Sequence, residues 1–180
     1  VHLNFDGNYF VATRIFDEVV RHLPEWIQDR GDASREVLSA DRCAELLALT
    51  GWDRYRHAQA IADLTGRAPF TNQSDHERRR EALDAAIRQL SSHARPEGLD
   101  AALEVYLAAI EKWPDDPHLH VNLAVLQTQL GDHVGLEATA RTILKLAPHA
   151  FAYYALGNAQ AGQGKHDDAM ASFRRALQRH

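Results

Sequence analysis

The chain has 180 residues, enough for one sizeable domain or for a small domain followed by a repeat array. Hydrophobic residues make up 45% and charged residues 25%, the balance of a folded globular chain, and the net charge of -5 gives no general attraction to nucleic acid or anionic lipid. No apolar run reaches membrane-spanning length, which excludes a transmembrane helix.

No basic segment followed by an apolar one marks a signal peptide, although a piece of a longer chain would read the same way. Cys43 is the only cysteine, so the chain has no internal disulfide and no cysteine-based zinc site, a usage compatible with the cytoplasm.

In chain order, Asn4 is placed to cap a helix whose Ala12, Ile15, Phe16, Val19, Val20 and Leu23 form one apolar stripe, ended by Pro24. Residues 25–37 are polar and read as a connector. A second helix is predicted from Ala40 to Leu49, with Cys43, Leu46, Leu47 and Thr50 on one stripe, which makes Cys43 a buried thiol. Thr50 and Asp53 form a capping-box pattern for a third helix ending near Gly66. Pro69 to Gln73 is a loop, and Ser74 with Glu77 forms another capping-box pattern, opening a helix over Glu77 to Ser92. Arg78-Arg79-Arg80 lies among Asp75, Glu77 and Glu81 and reads as a solvated helix face rather than a nucleic-acid contact. Trp26, Trp52 and Trp113 read as core and inter-helix packing.

The second half repeats itself. Ala102, Leu136 and Ala169 are spaced 34 and then 33 residues apart, and Tyr106, Ala140 and Phe173 keep that spacing, as do Ala109, Ile143 and Ala176. Pro114 and Pro148 are 34 apart, and Gly98, Gly131 and Gly164 recur every 33 residues. Small residues such as Ala102 and Ala169 let helices approach closely, and Tyr106 and Phe173 are expected to fill the gap between one hairpin and the next. The glycines are expected to end the first helix of each hairpin in a left-handed backbone, and the prolines to stop the second.

This period and these residues resemble the tetratricopeptide repeat over residues 76–180. The best unit is Tyr153-Tyr154-Ala155-Leu156-Gly157 followed by Gly164, Ala169, Phe173 and Ala176. The unit from Pro117 to Pro148 is degenerate, with Leu136 and Ala140 in place of the small and aromatic residues. The unit before it has a good second helix from Leu99 to Lys112, while its first helix, over Glu77 to Ser92, lacks the Leu-Gly pair. The resemblance implies an all-α fold, a right-handed superhelix of about three helical hairpins over 76–180, with a smaller helical segment at 1–75. It also implies a protein-protein or peptide interaction module.

The opening Val1-His2-Leu3-Asn4-Phe5-Asp6-Gly7-Asn8-Tyr9 resembles the last block of SGNH (GDSL-type) hydrolases, and the match extends over residues 1–23. There a histidine just before the final helix is the catalytic base, which His2 matches. The partner aspartate would precede Val1, and the nucleophile and sheet would lie further upstream. Gly31-Asp32-Ala33-Ser34 does not supply that nucleophile, because the nucleophile block precedes the histidine block. Together the two resemblances suggest the C-terminal, regulatory or oligomerising part of a longer esterase, in which His2 acts only if a hydrolase domain precedes it. The ending at Arg179-His180, without a terminal proline or polar capping helix, fits the same expectation.

No other catalytic set emerges. His118 and His120 are two apart and diverge on a helix, no His-Glu-x-x-His occurs, and neither a metal nor a cofactor is expected.

Stacked hairpins line a groove with the first helix of each unit. The resemblance places His118, Val121, Asn122, Val125 and Gln129 on it from the middle unit, and Phe151, Tyr154 and Asn158 from the last. Neither Pro117–Leu130 nor His149–Gln163 contains Lys or Arg, so these helices offer no clamp for a terminal carboxylate. A peptide would be held by backbone hydrogen bonds to Asn122 and Asn158 and by packing on Phe151 and Tyr154; alternatively, the two aromatics only seal the next repeat. Homo-oligomerisation through the uncovered stripe Met170, Phe173, Ala176 and Leu177 is a further expectation. The expected partner is a protein or peptide, with no nucleic acid and no membrane.

Overall fold

The computed structural model describes residues 4–30 and 37–179; His2 and residues 31–34 lie outside the described residues. Among the described residues the chain is all-α, with helices, two short 3-10 turns and no strand. Two compact units are present, Val1–Leu49 and Thr50–His180.

The first unit holds α1 (Phe5–His22), α2 (Glu25–Gln28) and α3 (Ala40–Leu46). Asn4 Oδ1 accepts the Gly7 N–H at 2.9 Å, the cap expected from the sequence. Within the unit α1 packs on α3, and the Tyr9 hydroxyl donates to the Leu38 carbonyl at 2.8 Å. The apolar stripe of α1 is not core, since Ile15, Phe16 and Val19 are all more than half exposed. Its partner α3 has seven residues, too short to cover an 18-residue helix. Trp26 is likewise exposed, and the expected connector contains the short α2. The second helix stops at Leu46, not Leu49, because Ala48 takes a left-handed conformation (φ 52°). Cys43 is half-buried rather than buried.

The second unit comprises α4 (Gly51–Thr65), α5 (His76–Leu90), α6 (Pro96–Lys112), α7 (Pro117–Leu130), α8 (His133–Leu146), α9 (Ala150–Gly162) and α10 (His166–Leu177), with 3-10 turns at Phe70–Asn72 and Ser91–Ala94. From α6 onward each helix packs on the next, and α7 also touches α9, the arrangement of hairpins laid side by side. Ala124, Leu136, Ala140, Ile143, Ala152, Ala155, Leu156 and Ala159 form one buried cluster across α7, α8 and α9. The degenerate unit works by exchange of volume: Leu136 stands where a small residue is usual and Ala140 where an aromatic is, and both are buried.

Gly131 (φ 70°) and Gly164 (φ 76°) supply the left-handed turns that end α7 and α9. Gly98 does not share that role. It lies in the first turn of α6, where a Cβ would stand 2.5 Å from His93 Cα, so it is required for close approach rather than for a turn. Phe173 also departs from expectation. It packs inside its own hairpin, where a Cβ on Gly157 would lie 2.6 Å from its ring, instead of bridging to a neighbouring hairpin. Trp113 is exposed, with the Lys112 ammonium 5.3 Å from its ring centroid.

The first repeat unit is assembled differently from its sequence order. α5 packs on α4 and on the turn at Ser91–Ala94, and makes at most marginal contact with α6. The helix that holds α6 from behind is α4. Thr50 and Asp53 form the expected capping box, and the Asp53 carboxylate is 2% exposed. Its Oδ2 accepts the Thr50 N–H (2.9 Å), the Thr50 hydroxyl (2.8 Å) and, from α6, the Tyr106 hydroxyl (2.6 Å). Burial, reinforced by this bond to a carboxylate, pushes the Tyr106 phenol above its ordinary value, so it remains a donor. Thus α4, which falls within the unit Thr50–His180, packs on both α5 and α6.

The opening of α5 also differs from the expected Ser74–Glu77 box. Asp75 is the cap residue, and its carboxylate pairs with Arg79 Nε at 2.7 Å instead of closing the helix end. Of the arginine run, Arg78 and Arg79 are solvated, whereas Arg80 forks onto Asp84 and donates to the Ala62 carbonyl of α4.

Candidate functional site

The faces of α4, α7 and α9 meet around an open pocket of about 330 Å³ lined by Trp52, Arg56, Val125, Thr128, Gln129, Phe151, Tyr154, Ala155 and Asn158. Helical spacing accounts for the set. Val125 and Gln129 lie four apart on α7, and Phe151, Tyr154, Ala155 and Asn158 follow the three-and-four spacing of one face of α9. Asp116 caps α7 by accepting the His118 N–H at 2.8 Å, and His149 caps α9 by accepting the Ala152 N–H at 3.4 Å. These two caps start the helices in phase.

Five of the eight residues expected in the groove therefore come together: Val125, Gln129, Phe151, Tyr154 and Asn158. The other three do not line this pocket. His118 is exposed at the start of α7, Val121 packs against the buried cluster, and Asn122 is half-buried. Phe151 packs on the buried cluster and also lines the pocket. Tyr154 is 52% exposed, its ring centroid 6.0 Å from that of Phe173, so it leans on its own hairpin and leaves a free face.

Trp52, Arg56, Thr128 and Ala155 line the pocket without having been expected. Trp52 is buried as a core residue, yet contributes to the wall. Arg56 Nη2 stands 3.6 Å from Asp53 Oδ1, and Arg56 Nε is shut off from solvent without a partner. The Thr128 hydroxyl is spent on the Ala124 carbonyl, whereas the side-chain amides of Gln129 and Asn158 make no hydrogen bond among the described residues.

The lining combines aromatic and aliphatic walls with the side-chain amides of Gln129 and Asn158, which each offer a donor and an acceptor. A second pocket of about 460 Å³ lies between α4, the turn at Phe70–Asn72 and α5. Its Arg79 and Arg80 are already engaged by Asp75 and Asp84. His120, buried, holds the Pro114 carbonyl through Nε2 at 2.7 Å and serves packing. Among the described residues no group of three His, Cys, Asp or Glu is placed to hold a metal ion, and no helix is long and apolar enough to cross a membrane.

The family model described as Tetratricopeptide repeat matches residues 150–180, the segment of α9 and α10. A search of curated proteins finds no match. The match supports a relationship to the tetratricopeptide repeat family, and with it a protein-interaction module in general terms. The hydrolase resemblance of residues 1–23 gains no support, and its key residue, His2, lies outside the described residues.

Proposed function

We propose that the array binds an extended segment of a partner protein in the pocket formed by α4, α7 and α9. The observation that carries this reading is the convergence of Trp52, Phe151 and Tyr154 with the unpaired amides of Gln129 and Asn158 around one open cavity. Aromatic side chains that keep an exposed face provide most of the binding energy in such interfaces, and amides fix the direction and register of a peptide backbone. Asn122 and His118, on the same helix beyond the pocket, would extend the polar contacts toward the start of α7, while Val121 supports that face from the buried cluster.

Tyr154→Ala and Asn158→Ala test the reading. Each is expected to lower recovery of a native partner in pull-down by about tenfold, the loss of one good interface contact, with far-UV circular dichroism unchanged. Unchanged recovery would assign the interaction to another surface. No observation favours the alternative in which the chain is the tail of an SGNH-type esterase.

A further inference from the structure

We infer that the pocket selects an uncharged segment, one that inserts an aliphatic or aromatic side chain and carries no Asp, Glu, Lys or Arg beside it. This inference rests on the groove being the binding surface. Arg56 is the only charged side chain in the lining. It is not free to read an anion, because its guanidinium faces Asp53, which is 2% exposed and cannot be screened by solvent. Asp53 has committed Oδ2 to three donors, which leaves Oδ1 turned toward Arg56 at 3.6 Å. Arg56 Nε is buried without a partner, while the side chain as a whole is 33% exposed, so the guanidinium lies between Asp53 and the open pocket.

A ligand carboxylate would therefore meet a neutral pair, attracted by one member and repelled by the other. A ligand ammonium fares no better, since the Asp53 carboxylate lies behind Arg56. The other two walls add no field of their own: α7 and α9 contain no Asp, Glu, Lys or Arg along their lengths. What remains is an apolar wall with two amides, which complement the N–H and C=O groups of an extended backbone.

The test is a displayed random dodecapeptide library panned on the chain, followed by fluorescence anisotropy on the selected peptides. The expected peptides converge on one large apolar residue with no charged neighbour within two positions. Their Kd should change by less than about threefold between about 50 and 500 mM salt, where exposed charge pairs are increasingly screened. Arg56→Gln leaves the Asp53 carboxylate without its countercharge and should turn the selection toward peptides carrying Lys or Arg. Asp53→Asn, if natively helical, removes the countercharge and should turn the selection toward acidic peptides. Arg56→Gln, which alters a side chain 33% exposed, keeps the question decidable if that variant fails to fold.

Acidic peptides selected by the unaltered chain, dependent on Tyr154 and weakened tenfold or more by salt and by Arg56→Gln, overturn this inference alone. A library that yields no peptide, or only peptides indifferent to Tyr154→Ala, overturns the groove reading and this inference with it.

Discussion

Glu137→Gln should make the stability of the array less dependent on acid. Glu137, on α8, accepts Gln163 Nε2 at 2.8 Å and Lys165 Nζ at 2.9 Å through Oε2, and Arg141 Nη2 at 2.7 Å through Oε1. Gln163 also donates to the His133 carbonyl at 3.0 Å, so the carboxylate joins α8 to the turn between α9 and α10. These donors, Lys165 foremost and then Arg141 and Gln163, hold the Glu137 carboxyl at about 2 against its ordinary 4.5.

Each pH unit of that difference corresponds to about 1.4 kcal/mol, which sets a ceiling of about 3 kcal/mol. The side chains of Lys165 and Arg141 are 45% and 57% exposed, and solvent screening brings the expected figure down to about 1–2 kcal/mol. Because the folded value is depressed, the stabilisation is complete above about pH 4.5 and fades as pH falls toward 2. Urea unfolding of both proteins at pH 7 should show the variant weaker by about 1–2 kcal/mol, and the gap should largely close near pH 2.5. An equal gap at both pH values would refute the assignment of this stability to the ionised carboxylate.

Other outcomes follow from the same packing. Ile143→Ala, at a site with 0% exposure, should cost about 2–5 kcal/mol in urea unfolding because the cavity is enclosed on all sides. Gly157→Val should lower stability by about 1–3 kcal/mol, measured as a fall in Tm, since its Cβ would press on the Phe173 ring. Tyr106→Phe should cost about 1–3 kcal/mol by removing a donor from the buried Asp53, with the loss read in urea and helicity retained. Self-association through α10 would rest on Met170 and Leu177, both at least half exposed; Leu177→Glu should then shift a dimer to monomer in light scattering, and a strictly monomeric unaltered chain at high concentration would exclude it.

The last two hairpins were legible because their information is local and periodic. Gly131, Gly164, Pro114 and Pro148 mark turns through backbone restrictions that act at one residue, and Ala169, Ala176 and Leu156 mark contacts that recur at a fixed interval. The packing of α4 on α6 was not legible, because its decisive bond, Tyr106 to Asp53, joins residues 53 apart across α5, a helix that no period announces. α5 occupied the place in sequence where a partner for α6 belongs, although its packing face goes to α4.

The same displacement hid Trp52 and Arg56 from the site, since both sit on a helix outside the repeat spacing, and the Thr50–Asp53 signal pointed only to a cap. The resemblance pointed to five residues of α7 and α9 that line the pocket, whereas His118, Val121 and Asn122, named with them, fall beside it. Periodicity also cannot say what covers an apolar face. The stripe on α1 has the pattern of a core helix and is exposed, as are Trp26 and Trp113.

Asp53 links the packing of α4 to the wall of the pocket through one side chain. Its backbone-directed bonds start α4, its bond from Tyr106 fixes α4 against α6, and its remaining oxygen balances Arg56 at the pocket wall. A buried carboxylate is costly unless its lone pairs are filled, and three donors on Oδ2 meet that cost while leaving Oδ1 toward the guanidinium. The arrangement that brings Trp52 into the groove is therefore the one that neutralises the groove's only charge. The presence of α5 between α4 and α6 is compatible with it, because the capping box is local to α4 and the long-range bond needs only a tyrosine at the helix position that repeats as Ala140 and Phe173 in the following units.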